Sequence, residues 1–282
     1  MSNQNDCIVS VDKLTLTLEI GHEIRYGSFE IFPGDFIWIK GHNGSGKSTF
    51  LNLFHLMGNR YFSFRSGDIF YYGEGFPSCS IEQYSEDDLT RLNRCVSFIA
   101  QDETFFSSAS AFSYIHDVCC MALGHKFTYQ HRKHCKQILA EADRLIWEYY
   151  EKYLKNSFEG GRKAFKNKDV REWSGGQQKM INVLAGLIKA QVLGLKLILM
   201  DEPLNNLDGK NKYILNMLIN DLLEQGGIAI LAITHCQIFN GVNGVLELKE
   251  DEDGGYHAEL TKYKNGEKEK SHKECLETYN KV

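Results

Sequence analysis

Gly41-His42-Asn43-Gly44-Ser45-Gly46-Lys47-Ser48-Thr49 fits the pattern G-x-x-x-x-G-K-[ST], and the reading of the fold starts from what flanks it. Ahead of it, residues 36–39 are a short apolar run, which predicts a buried strand. Behind it, Phe50, Leu53, Phe54, Leu56 and Met57 recur at helical spacing. Strand, glycine-rich loop and helix in that order point to phosphate chemistry. A polyphosphate is densely anionic, and backbone N–H groups reach it only where side chains are absent, hence the glycines. The helix that follows turns its positive N-terminal pole toward the anion. Lys47 adds a point charge for the β- and γ-phosphates, and the Ser48 hydroxyl is suited to ligate Mg²⁺.

The rest of the chain supplies strands to go with that loop. Residues 8–20 alternate with period two, Leu14, Leu16 and Leu18 against Thr15 and Thr17, as a half-buried strand does. Pro33-Gly34-Asp35 predicts a turn, and residues 65–76 read as a hairpin punctuated by Gly67-Asp68 and Gly73. Residues 197–200 and 228–233 are unbroken apolar runs, the mark of strands covered on both faces in a parallel sheet. Residues 245–248 and 256–261 flank Asp253-Gly254-Gly255 and predict a hairpin. Between about 110 and 155 the period becomes helical, with Ile138, Ala142, Leu145, Ile146, Tyr149, Tyr153 and Leu154 on one stripe. Residues 160–168 read as a basic, glycine-containing break. The whole is an α/β core interrupted by a helical insertion.

The run 197–200 ends in Asp201-Glu202. A buried strand delivers its last residues to the C-terminal edge of the sheet, where ligands of open α/β sheets bind. Asp201 is thereby placed to hold Mg²⁺, and Glu202 to act as general base on an attacking water.

Composition narrows the partners. A chain of 282 residues with 43% hydrophobic and 24% charged residues is neither disordered nor fibrous. Lys and Arg number 32 against 37 Asp and Glu, a net charge of −5, so the broad basic surface that nucleic acid demands is not expected. No apolar run approaches the roughly eighteen residues of a membrane span. The nearest, 193–200, is interrupted by Lys196. Residues 1–7 are polar and lack the pattern of a signal peptide, so a soluble, intracellular protein is expected. The eight cysteines (Cys7, Cys79, Cys95, Cys119, Cys120, Cys135, Cys236 and Cys275) include no Cys-x-x-Cys and predict reduced thiols rather than a disulfide framework.

Trp173-Ser174-Gly175-Gly176-Gln177 then identifies a resemblance. With the phosphate loop and the acidic strand end, it is similar to the nucleotide-binding subunit of ABC ATPases, whose signature is Leu-Ser-Gly-Gly-Gln. Gln101 after an apolar run resembles the Q-loop glutamine, Pro203 the proline after the base, Asn206-Leu207-Asp208 the D-loop, and His235 the switch histidine. The likeness extends over residues 8–262. It implies a P-loop NTPase core of RecA-like α/β type, an N-terminal antiparallel β subdomain and an inserted α-helical subdomain. The implied single domain is 1–262, with core 1–107 and 170–262, insertion about 108–169, and a polar C-terminal tail 263–282.

The resemblance also implies a mechanism. ATP and Mg²⁺ are the implied ligands. Gly41, Asn43, Gly44, Ser45, Gly46, Lys47, Ser48 and Thr49 hold the nucleotide, while Ser48, Gln101 and Asp201 hold the metal. Glu202, His235 and Gln101 are catalytic. Ser174, Gly175, Gly176 and Gln177 act in trans on the ATP of a second, head-to-tail copy or related subunit, and Asp208 senses the opposite site. The implied function is the ATPase subunit of an ABC transporter, cytoplasmic and held to the inner membrane face by a separate permease. The alternative is a soluble ABC ATPase that acts as an ATP-driven clamp or assembly factor. Cargo and direction are not written in these motifs.

Departures from the family pattern carry their own expectations. Trp173 replaces leucine and is expected to pack. Lys179 and Met180 stand where a Gln-Arg pair is common, which predicts altered surface contacts of that helix. No aromatic lies near residues 16–18 to stack on adenine; Tyr26 is the nearest substitute, and ATP and GTP both stay open. The stretch from Gln101 to Ser174 is longer than in compact family members. Within it, His116, Cys119 and Cys120, and likewise His131, His134 and Cys135, fall at i, i+3, i+4, the spacing of either a soft-metal site or packing residues. Arg162, Lys163, Lys166 and Lys168 suit either anionic headgroups or a solvated loop, and Phe105 and Phe106 either a partner groove or the core.

Overall fold

In the computed structural model, residues 7–18, 21–55, 62–72, 85, 87–88, 92, 95–101, 109–123, 132–235 and 239–263 are described. Ten strands among them are β1 (Val9–Leu18), β2 (Glu23–Tyr26), β3 (Phe29–Ile31), β4 (Phe36–Gly41), β5 (Phe62–Tyr71), β6 (Val96–Ile99), β7 (Leu197–Asp201), β8 (Ala229–Ile233), β9 (Gly244–Glu250) and β10 (Tyr256–Lys262). They form one sheet in the order β3-β1-β2-β10-β9-β4-β8-β7-β6, with β5 pairing on β1. The run β9-β4-β8-β7-β6 is parallel throughout. The N-terminal part is antiparallel, β1 pairing with β2, β3 and β5, and the β9–β10 hairpin joins the two parts.

Alternation along the parallel strands divides the interior in two. Ile37, Ile39, Leu197, Leu199, Leu231 and Ile233 face one core, shared with the N-terminal sheet and helix α1 (Lys47–His55). Phe36, Trp38, Ile198, Met200, Ile230 and Ala232 face the other. That second core is roofed by α2 (Ala111–Leu123), α3 (Arg132–Tyr149), α4 (Gly161–Asn167), α5 (Gly175–Leu193) and α6 (Gly209–Glu224). Both faces of β7 and β8 are covered, every residue of each being buried, as their unbroken apolar runs predict.

Two local expectations are corrected. Residues 65–71 belong to one long strand, β5, rather than a hairpin, and residues 73–76 lie outside the described set. Gly67 is a bulge and not a turn: it faces Lys13, itself at φ 42°, where the β1–β5 register slips, and a Cβ on it would lie 2.3 Å from the Lys13 carbonyl. The basic stretch 160–168 is helix α4, not a break. Gly160 and Gly161, both at positive φ, end the π-helical turn region that follows Tyr150–Leu154 and start α4, which then buries Phe165 completely. Phe165 meets Tyr150 at 4.9 Å and Phe158 at 5.2 Å, and Phe158 meets Trp173 at 5.0 Å between ring centroids. Trp173 is thus a packing residue, as expected, with Lys168 set 4.1 Å over its ring. Arg162 pairs with Glu151 and covers Trp147, so two of the four basic residues of this stretch serve the fold.

Phe165→Ala should cost about 3–5 kcal/mol of unfolding free energy. Chemical denaturation measures it, and a loss below about 1 kcal/mol would contradict α4's anchoring in the aromatic core.

Candidate active site

Parallel strands deliver their C-terminal ends to one edge, and a cavity of about 410 Å³ opens there. The loop after β4 forms its floor. Gly46 sits at φ 88°, a left-handed conformation that suits glycine. It also packs against β2: a Cβ on it would lie 2.2 Å from Ile24 Cδ1, so the Ile24 side chain would have to shift. The N-terminal sheet therefore rests on the loop and fixes its height. Helix α1 begins at Lys47, so its free N–H groups face the cavity. Lys47 Nζ folds back onto the loop and donates to the carbonyls of Gly41 (2.9 Å) and His42 (2.8 Å). Burial pulls its pKa below the ordinary lysine value, while the charges of Glu202 and Asp201 act against that.

The other strands complete the wall. Asn43, Gly44, Gly46, Lys47, Ser48 and Thr49 line the cavity from the loop. Gln101 lines it from beyond β6, Asp201 and Glu202 from β7, and His235 from beyond β8. Gly41 and Ser45 lie behind the lining: Ser45 is fully buried, its hydroxyl 2.7 Å from where a Cβ on Gly41 would stand. Leu18 and Ile233 also face the cavity and were not singled out by motif. Leu18 is the last residue of the alternating run in β1, which is the signal that places it.

Glu202 is the strained residue of the site. It holds φ 49°, unusual for a residue with a Cβ, and its N–H donates to the Ile233 carbonyl at 3.0 Å. Its side chain is 7% exposed, and its Oε1 lies 3.3 Å from Nε2 of His235, which is 63% exposed. Burial raises the Glu202 pKa, countered by His235, raised further by Asp201 and countered again by Lys47. Ser48, Gln101 and Asp201 bring a hydroxyl, an amide and a carboxylate to the same cavity, a set of hard oxygen donors.

The signature residues stand elsewhere. Ser174 caps α5 in a reciprocal box with Gln177, Gln177 N donating to Ser174 Oγ (3.3 Å) and Ser174 N to Gln177 Oε1 (3.0 Å). None of Ser174, Gly175, Gly176 and Gln177 lines the cavity, and Ser174 and Gly175 are exposed. Asp208 is likewise outside it, exposed, and caps α6 by accepting from Asn211 N at 2.8 Å.

A family model described as ABC transporter matches residues 25–205. The chain belongs to the ABC transporter family. It is an ATPase of that family and binds nucleotide. It is 27% identical over 223 residues to the cytochrome c biogenesis ATP-binding export protein CcmA of Mannheimia succiniciproducens, covering 79% of this chain and 85% of the relative. It is 27% identical over 237 residues to the Fe(3+) ions import ATP-binding protein FbpC of the same organism, covering 84% of this chain and 57% of that one. Among solved structures it shares the fold of a dimeric post-hydrolysis state of the cassette MJ0796 of Methanocaldococcus jannaschii, bound to ADP and Pi. The TM-score is 0.63 at 20% identity, over 91% of this chain and 99% of that one.

Several expectations about this ABC ATPase change on inspection. Tyr26 does not reach the nucleotide cavity; it is buried and stacks on Phe50 at 4.8 Å, because alternation along β2 turns it inward. Lys179 makes no altered surface contact, since it is fully buried. His116 and Cys120 are neighbours (Nδ1 to Sγ 3.5 Å), but Cys119 is turned into the core. His131 and the His134 side chain lie outside the described residues. Among the described residues no group of three His, Cys, Asp or Glu is arranged for a metal, and Cys7, Cys119 and Cys120 are free thiols. Phe105 and Phe106 also fall outside the described residues.

A carboxylate accepts a proton only when ionised, and burial raises the pKa of Glu202. Were Glu202 the base, the acid limb of kcat/KM, which reports the nucleotide-free protein, should lie above the ordinary glutamate value of about 4.3. A pH profile of ATP hydrolysis measures it, and a limb at or below that value would contradict the buried setting of Glu202.

Proposed function

We propose that the chain is the ATP-hydrolysing subunit of an ABC transporter, which closes head to tail with a second copy, or a related subunit, around two nucleotides to drive a separate membrane permease. One observation carries this reading. The cavity holds the loop, the acids and His235, while Ser174, Gly175, Gly176 and Gln177 are offered at an exposed helix N-terminus outside it. Each half needs what the other half of a dimer supplies. The signature donors would then meet the γ-phosphate of the partner's ATP, with Ser174 free to donate its hydroxyl proton while its oxygen caps the helix.

Within one cavity the roles divide by chemistry. Gly41, Asn43, Gly44, Ser45, Gly46 and Thr49 shape or line the phosphate cradle, and Lys47 turns from the loop carbonyls to the β- and γ-phosphates. Ser48, Gln101 and Asp201 fit Mg²⁺ as oxygen donors that leave room for phosphate and water. Bound there, the cation supplies neutralisation of the charge on the transferred phosphoryl group. Glu202 takes the proton of the attacking water, and His235 holds Glu202 in place and reaches the γ-phosphate. Asp208, which caps α6, reports on the opposite site across the dimer.

The transport role is supported by relatives whose names describe ATP-binding proteins of export and of import. Among the described residues no helix is long and apolar enough to cross a membrane, and the proposed permease partner is a separate polypeptide. A cytoplasmic position on the inner membrane face follows from that partner. Direction and cargo belong to the permease, since the fold does not carry the substrate.

Glu202→Gln should keep ATP binding, lower kcat by about 10²–10⁴-fold and accumulate an ATP-dependent dimer. Light scattering with ATP measures the dimer. A persistent monomer with full turnover would sink the role of Glu202, and recovery of the native protein without any membrane partner would favour a soluble clamp.

A further inference from the structure

Helix α5 is held to β6, and to the chain leaving it, at three points. Near its C-terminal end, Lys189 Nζ donates to the Val96 carbonyl at 3.2 Å. In the middle, Ser97 Oγ donates to the Gly186 carbonyl at 2.8 Å, and a Cβ on Gly186 would lie 2.6 Å from Ile99 Cγ1, so helix and strand touch. Near its N-terminal end, Lys179 Nζ donates to the carbonyls of Ala100 (2.9 Å) and Gln101 (2.8 Å).

The third point differs in kind. Lys179 is 0% exposed, and a lysine is almost never fully buried unless its donors are used. Successive carbonyls of an extended strand point to opposite sides, so one ammonium that bonds two in a row marks where the chain turns off β6. What it holds is the backbone of Gln101, whose side chain lines the nucleotide cavity. Two helical turns are enough to connect this pin to the signature at the start of α5. There Gly176 lies against the loop after β7, where a Cβ would stand 3.0 Å from the Asn206 carbonyl. The first turns of α5 therefore touch both the glutamine segment and the segment that leads to Asp208.

We propose that Lys179 is a positioning residue whose buried ammonium locks Gln101 to the signature helix, so that residues 174–177 and the cavity glutamine move as one body. The proposal rests on the reading that this signature acts on a partner's nucleotide. A partner's ATP that draws on Ser174 then displaces α5, and α5 carries Gln101 into or out of register with its own nucleotide. Both sites bias one rigid element, which is the physical requirement for coupling between them.

The test compares two lysines of one helix, Lys179 fully buried and Lys189 partly buried, both bonded to backbone carbonyls of the β6 segment. Lys179→Met should lower kcat for ATP about tenfold or more while KM changes less than about twofold. Lys179→Arg, which keeps the donors, should recover most of that loss. Lys189→Met removes a partly buried ammonium away from the cavity and should lower Tm while kcat stays at the wild-type value. If Lys179→Met does not fold, Lys179→Gln replaces it, and a single amide in place of the ammonium should lower kcat about threefold at unchanged KM. Undiminished kcat in the folded Lys179 variant, or equal kcat losses at Lys179 and Lys189, overturns the proposal. Wild-type turnover per molecule that does not rise with protein concentration overturns the underlying dimer reading instead.

Discussion

Parallel pairing of β4, β8, β7 and β6 is the constraint on which the rest of the site depends. In a parallel sheet all C-terminal ends lie on one edge, so four separate stretches of chain release their last residues beside one another. From β4 comes the loop with Lys47, from β6 Gln101, from β7 Asp201 and Glu202, and from β8 His235. Sequence separations of more than a hundred residues collapse into one cavity. No single loop could hold a triphosphate, a base and the group that orients the base. The sheet also fixes Glu202: at the end of β7 it holds φ 49° while its N–H donates to the Ile233 carbonyl at 3.0 Å.

Packing on the two faces of that sheet assigns different work to each core. The face shared with the N-terminal sheet supports the loop, with Ile24 seated against Gly46 and Tyr26 and Phe50 stacked beneath. The other face supports α5 and the helical segments, with the aromatic group of Phe158, Phe165 and Trp173 next to the signature. The glycine loop is held from one core, and the exposed N-terminus of α5 is built on the other. The parallel strands lie between them.

Much of this is legible in the sequence because it is local. The glycine loop and the apolar runs of β7 and β8 act within a few positions of themselves. What was not legible depends on contacts far along the chain. Tyr26 reads as an available aromatic until Phe50 is seen beneath it. Gly67 reads as a turn until Lys13 is seen across the ladder. Residues 160–168 carry glycines and charges that mimic a loop, and only the pocket around Phe165 makes them a helix. Lys179 reads as a surface residue because lysines usually are, and the two carbonyls it bonds lie some eighty residues earlier.

The central claim is that each active site is completed by a second chain, and complementation between two inactive variants tests it most directly. Lys47→Ala removes the phosphate charge, and Ser174→Asp retains a good helix cap while placing a carboxylate against the γ-phosphate. Each alone should be inactive. Mixed in equal amounts, half the dimers are mixed pairs with one intact composite site, so ATP hydrolysis should return to about a quarter of the wild-type rate. No recovery on mixing, with both variants folded and dimerising, would show that the signature does not act on a partner's nucleotide.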